Sequence, residues 1–96
     1  MAAATLWRKR IEQLQSGKLS DDETIILADD ADGWNTCAVG ECLGLEGHTG
    51  YRAWMKIRNH KNYTKLVKLG DAFADHVQCK RYPDALRTLE EIERLA

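Results

Sequence analysis

The chain has 96 residues, enough for one domain, and 44% of them are hydrophobic, 30% charged and 7% aromatic. That mixture is globular, because a disordered chain carries less apolar material and usually a larger net charge. No purely apolar run exceeds the four residues of Ile25–Ala28, against the roughly 20 a membrane-spanning helix needs, so no membrane association is expected. The start, MAAATLWRKRIEQ, has no apolar stretch after its charges and does not read as a secretory signal. Ala2 excludes a myristoylated glycine. Cys37, Cys42 and Cys79 are odd in number, so a purely internal disulfide framework leaves one thiol over. Reduced thiols and a cytoplasmic location are the expectation.

In chain order, the first predicted helix covers Ala4–Gln15. Trp7, Ile11 and Leu14 fall at i, i+4 and i+7 on one face, and Gly17 stops it. Ser20 then reads as an N-cap with Glu23 completing a capping box, and Asp21, Asp22 and Glu23 suit the helix dipole. This second helix runs to about Ala31, although the pair Ile25-Ile26 also suits a short strand. A third is expected over Trp34–Leu43, with Trp34, Ala38, Cys42 and Leu45 along one side and Gly40 as a weak point of about 1 kcal/mol relative to Ala. Gly44, Gly47 and Gly50 mark a flexible loop, and Tyr51–Asn59 reads as a short helix.

The clearest periodicity follows. Tyr63, Leu66, Val67, Gly70, Phe73, Ala74 and Val77 form one apolar stripe of a helix over about 62–80. Pro83 suits the first turn of a last helix, whose buried stripe is Ala85, Leu86, Leu89, Ile92 and Ala96, with Glu90 and Arg94 pairing across one turn. The short link at Lys80–Tyr82 predicts antiparallel packing of these two. Leu69-Gly70, Phe73 and Tyr82-Pro83-Asp84-Ala85-Leu86 resemble the helix pair of a tetratricopeptide repeat over about 25 residues. The Gly70-to-Ala85 interval is longer than in that repeat, and no second copy follows at a period of about 34, so the resemblance implies analogous helix packing and not a repeat protein. The expected fold is all-α: residues 1–96 as a single compact bundle of about five short helices, the last two an antiparallel helical hairpin.

Charge is segregated beneath a net −1. Residues 1–18 carry four bases (Arg8, Lys9, Arg10, Lys18) and one acid, Glu12. From Leu19 to Tyr51 there are eight acids (Asp21, Asp22, Glu23, Asp29, Asp30, Asp32, Glu41, Glu46) and no base. From Arg52 to Lys68 there are six bases (Arg52, Lys56, Arg58, Lys61, Lys65, Lys68) and no acid. Two outcomes are open: the blocks lie together and neutralise one another, or one is displayed to a charged partner.

Groups that could do chemistry are few. Cys37, Cys42, His76 and Cys79 are the types a structural zinc site uses, but Cys37 and Cys42 lie about 140° apart on a helix, so small apolar thiols are the better reading. Asp30, Asp32 and Gly33 evoke half of a calcium loop, but the register puts Ala28 and Val39 where carboxylates belong. The glycines lack the lysine of a phosphate loop, and His48 and His60 stand near no nucleophile in the pattern. Neither an enzyme nor a cofactor or metal is expected. The expected function is a small regulatory or interaction module that binds a protein partner through charged surfaces.

Two other readings compete. Arg58, Lys61, Lys65 and Lys68 recur as a ridge near Tyr51 and Trp54, which suits nucleic acid. Alternatively, Asp21, Asp22, Glu23, Asp29, Asp30 and Asp32 imitate a nucleic-acid backbone and occupy the basic groove of a nucleic-acid-binding protein.

Overall fold

A computed structural model describes residues 3–96, and Ala2 lies outside them. Among the described residues there are six helices: α1 (Thr5–Ser16), α2 (Asp21–Asp30), α3 (Ala38–Cys42), α4 (Gly50–Arg58), α5 (Tyr63–Gln78) and α6 (Tyr82–Leu95). No strand occurs among the described residues, so Ile25-Ile26 is helical.

The α5–α6 hairpin is the frame. Leu66, Phe73, Ala74 and Val77 of α5 face Ala85, Leu89 and Ile92 of α6, all buried, while Tyr63, Val67 and Leu86 are half-buried at the margins. The reversal between them uses Lys80 in the left-handed region (φ 60°), where its N–H reaches the Val77 carbonyl and that of Arg81 the His76 carbonyl. Those two bonds satisfy carbonyls that the helix end would otherwise leave open. Pro83 stands in the first turn of α6, as its fixed φ and missing N–H suggest. The expected Glu90–Arg94 pair does not form; Arg94 takes Glu91 instead, and Arg87 takes Asp84.

Helix α1 lies across this frame through Trp7, Ile11 and Leu14. The Trp7 indole meets Phe73 edge-on at 5.1 Å and donates its N–H to the Thr36 carbonyl at 2.7 Å, so the one polar atom of a buried ring is satisfied. Ala4 precedes the helix and has no side chain that could cap it. Carboxylates distant in sequence do that work. Glu41 accepts the N–H groups of Leu6 (2.6 Å) and Trp7 (2.9 Å), and Glu93 accepts that of Ala4 (2.8 Å). Arg8 grips Glu93 with two bonds, at 2.6 and 2.8 Å. That grip holds the Glu93 carboxyl below the usual carboxylate range and raises the Arg8 guanidinium, while burial opposes both shifts.

Helix α2 starts as the sequence suggests: Ser20 Oγ accepts the Glu23 N–H at 3.2 Å and donates to the Glu23 carboxylate. The expected helix over Trp34–Leu43 is corrected. Residues 31–36 form turns, and helix begins at Ala38 with the Cys37 thiol accepting the Gly40 N–H at 3.4 Å. Gly40 explains the difference. The chain doubles back over it so closely that a Cβ there would lie 2.8 Å from the Trp34 carbonyl oxygen. The glycine is the condition of the turn, not a weak point in a longer helix. The loop beyond is tied at two places, by the buried Leu45 and by Asn35, whose side-chain amide donates to the His48 carbonyl. Thr49 then caps α4 through the Arg52 N–H at 3.2 Å.

Candidate functional site

Helix α2 departs from the pattern of the other helices, because none of its residues is buried. Ile25 and Ile26 are each 59% exposed. Residues 25–28 are four consecutive apolar positions, and at 100° per residue they sweep about 300° of the helix surface. One buried face cannot take all four. Leu27 and the flanking Leu19 lean on the core, Ala31 is buried just past the helix, and the two isoleucines are left outside. Asp21, Asp22, Glu23 and Asp29 stand exposed on the same helix, and Asp32 is exposed beyond it. Asp30 alone of the six has an ion-pair partner, Arg10 at 3.9 Å.

The basic residues are equally free. Arg52, Lys56, Arg58, Lys61, Lys65 and Lys68 are all exposed, and among the described residues none of them is in an ion pair. Arg52 and Lys56 border a shallow depression with His48, Tyr51 and Met55, in which Tyr51 is 73% exposed. Arg58, Lys61 and Lys65 border another with His60.

Helix α5 holds α2 and α4 at opposite ends. Trp54 of α4 packs on Tyr63, its first residue, at 5.6 Å between rings. Ala28 of α2 meets its last residue, Gln78, whose side-chain amide donates to the Ala28 carbonyl at 3.5 Å. Along the helix axis those points are about 22 Å apart, more than twice the roughly 8–10 Å over which salt screens exposed charges. Helices α2 and α4 therefore do not neutralise one another by contact. Asp32 and Trp34 lie between them, beside the middle of α5.

The three tryptophans divide. Trp7 is core, Trp54 is half-buried, and Trp34 is 39% exposed with its ring 4.8 Å from that of Trp54.

The sulfur and imidazole groups are dispersed. Cys37 caps α3, Cys42 lies on the face toward α6, Cys79 is exposed at the end of α5, and all three are free thiols. Burial, reinforced by Glu93 and Glu41, pushes the Cys42 thiol up to about 12, and burial also raises Cys37. Nδ1 of His76 accepts from Arg81, and Nδ1 of His60 accepts the Asn62 N–H. Among the described residues no group of three or more His, Cys, Asp or Glu side chains could hold a metal ion, so Cys37, Cys42, His76 and Cys79 are not brought together as a ligand set. No described helix is long and apolar enough to cross a membrane.

Comparison with known protein families, curated proteins and solved structures finds no match to this chain. The resemblance of residues 69–86 to a tetratricopeptide helix pair has no support from these comparisons. Sequence reasoning identified the acidic and basic residues but missed Ile25 and Ile26 as surface groups, although the four-residue apolar run carried that signal.

Proposed function

We propose that this chain is a non-catalytic interaction module whose docking element is α2. Ile25 and Ile26 form the apolar centre, and Asp21, Asp22, Glu23, Asp29 and Asp32 form an acidic rim. The observation that carries this reading is a helix with no buried residue and two isoleucines more than half exposed. Each is a little over half exposed, so leaving it in water forgoes roughly 1–2 kcal/mol of burial, which a partner would recover. An apolar centre with a charged rim is the layout of a protein interface, and the rim sets the sign of the partner: a basic protein surface with its own apolar patch. His60 and His76, each accepting a hydrogen bond at Nδ1, and the buried Cys37 thiol are consistent with a non-catalytic role.

An amphipathic helical peptide of leucine and lysine tests the reading by NMR titration. It is expected to shift the backbone amides of α2 at low salt, while a serine-lysine peptide of equal charge shifts them at least tenfold more weakly. Ile25→Asp with Ile26→Asp should abolish the leucine-lysine effect; amides of α2 that stay unmoved in the unaltered protein would overturn the proposal. Nucleic-acid mimicry by the same carboxylates is less well supported, because the isoleucine pair would strip water from phosphate-binding cations without pairing them.

A second reading rests on a separate observation, six exposed bases without an ion pair among the described residues, of which Arg52 and Lys56 share a depression with the exposed Tyr51. A short single-stranded nucleic acid would lay its phosphates along that segment and stack a base on the phenol ring. Charge reversal at Lys61, Lys65 and Lys68 is then expected to abolish a salt-sensitive mobility shift; no shift at low salt eliminates this reading.

A further inference from the structure

Helix α4 carries a surface that complements α2. Tyr51 and Met55 stand one turn apart on it, and Arg52 and Lys56 make a second row beside them. With His48 they border a shallow depression whose accessible lining is mostly apolar. Tyr51, Arg52 and Lys56 are exposed, and among the described residues neither base is in an ion pair. Helix α2 has the opposite charge around a similar centre. Ile25 lies one turn from both Asp21 and Asp29, and Ile26 one turn from Asp22.

We infer that the partner of α2 is a second copy of this chain. Ile25 and Ile26 of one molecule lie on the Tyr51–Met55 row of the other, with Asp21, Asp22 and Asp29 against Arg52 and Lys56. The inference rests on the docking role proposed for α2 and names the partner. Three observations select a second copy. The α4 surface is basic with an apolar patch of its own, which is the chemistry that exposed isoleucines in an acidic rim require. The two helices sit at opposite ends of α5, so neither can satisfy the other within one molecule. The net charge is only −1, so repulsion between whole molecules is slight. Like does not pair with like here: α2 against α2 would bring two acidic rims together, and α4 against α4 two basic rows. The contact therefore joins unlike surfaces, and each molecule offers one of each.

Sedimentation velocity on the whole chain, over a concentration series at two salt levels, is the test. The mass is expected to rise with concentration at about 0.1 M salt. Association should weaken about tenfold near 1 M, where screening shortens from roughly 10 to roughly 3 Å. Ile25→Ser with Ile26→Ser spoils only α2, and Arg52→Glu with Lys56→Glu spoils only α4. All four residues are exposed, so the fold should tolerate both changes. Each double variant alone is expected to associate at least tenfold more weakly than the original chain. Mixed in equal amounts, the two should associate again, because the intact α4 of the first receives the intact α2 of the second. General attraction cannot produce that recovery, since both variants carry net negative charge. A mass that stays monomeric at millimolar concentration, insensitivity to either pair of changes, or no recovery on mixing would overturn the inference. A monomer whose α2 still answers the leucine-lysine peptide loses only the second copy as partner; an α2 that ignores the peptide loses the docking role itself.

Discussion

Helices α6 and α2 are made of similar material and put to opposite uses. Both carry several acids and several branched aliphatic residues, over 14 and 10 residues. In α6 the aliphatics repeat at helical spacing, so Ala85, Leu89 and Ile92 share one face and vanish into the core. In α2 they are consecutive, so they spread around the helix and two remain outside. Periodicity, not composition, separates a helix that holds the fold together from one that is free to meet something else.

The sharpest way to break that contrast is at the core side. Trp7→Ala should cost about 3–5 kcal/mol, because it removes a buried ring, its edge contact to Phe73 and its bond to Thr36. That is a large share of the roughly 5–15 kcal/mol that domains have to spare. Urea unfolding followed by circular dichroism reads it directly, and a loss below about 1 kcal/mol would mean the described core is not the one that holds α1.

The next effect concerns the carboxylates that cap α1. Glu93→Gln should cost about 1–2 kcal/mol at neutral pH, as expected for a partly exposed, two-pronged, charge-assisted contact. The sign with pH follows from its depressed folded value. The stabilisation is full above the unfolded carboxylate range near 4.3 and is lost as pH falls through the folded value, so the variant and the original chain should converge in acid. Urea midpoints at neutral pH and near pH 3 check both statements. Glu41→Ala should show a loss of similar size, about 1–2 kcal/mol, because it leaves the Leu6 and Trp7 amides without their acceptor.

Those caps also show why part of the fold was not legible in the sequence. Stripes such as Leu66–Phe73–Val77 and the Ser20–Glu23 cap are local, with partners within one or two turns, and periodicity reveals them. Glu93 and Ala4 are 89 residues apart and Glu41 and Trp7 are 34 apart, so only the packed chain joins them. Gly40 was misread for the same reason: the obstacle that demands a glycine is the backbone of Trp34 and Asn35, brought over it by the turn. In the candidate site the charge blocks were plain from the sequence. The placing of α2 and α4 at opposite ends of α5 was not, because it depends on the packed chain. A smaller effect tests the one strained residue of the frame: Lys80→Gly should add about 0.5–1 kcal/mol, since glycine takes φ 60° without penalty, and the urea midpoint should rise accordingly.

The smallest expected change is the most discriminating between the two regions. Ile25→Ser and Ile26→Ser should each alter stability by no more than about 0.5 kcal/mol, because little buried area is lost at either site. Isoleucine and serine also have similar helix propensities, so the backbone of α2 contributes almost nothing to the difference. The same replacement at Ile92, which is fully buried in α6, should cost several times more, on the order of 2–5 kcal/mol by analogy with other large-to-small core changes. Measured side by side in urea, the two sites report whether their isoleucines face solvent or core in solution. A loss above about 2 kcal/mol at Ile25 or Ile26 would place α2 in the core, and the acidic rim would then surround nothing a partner could cover.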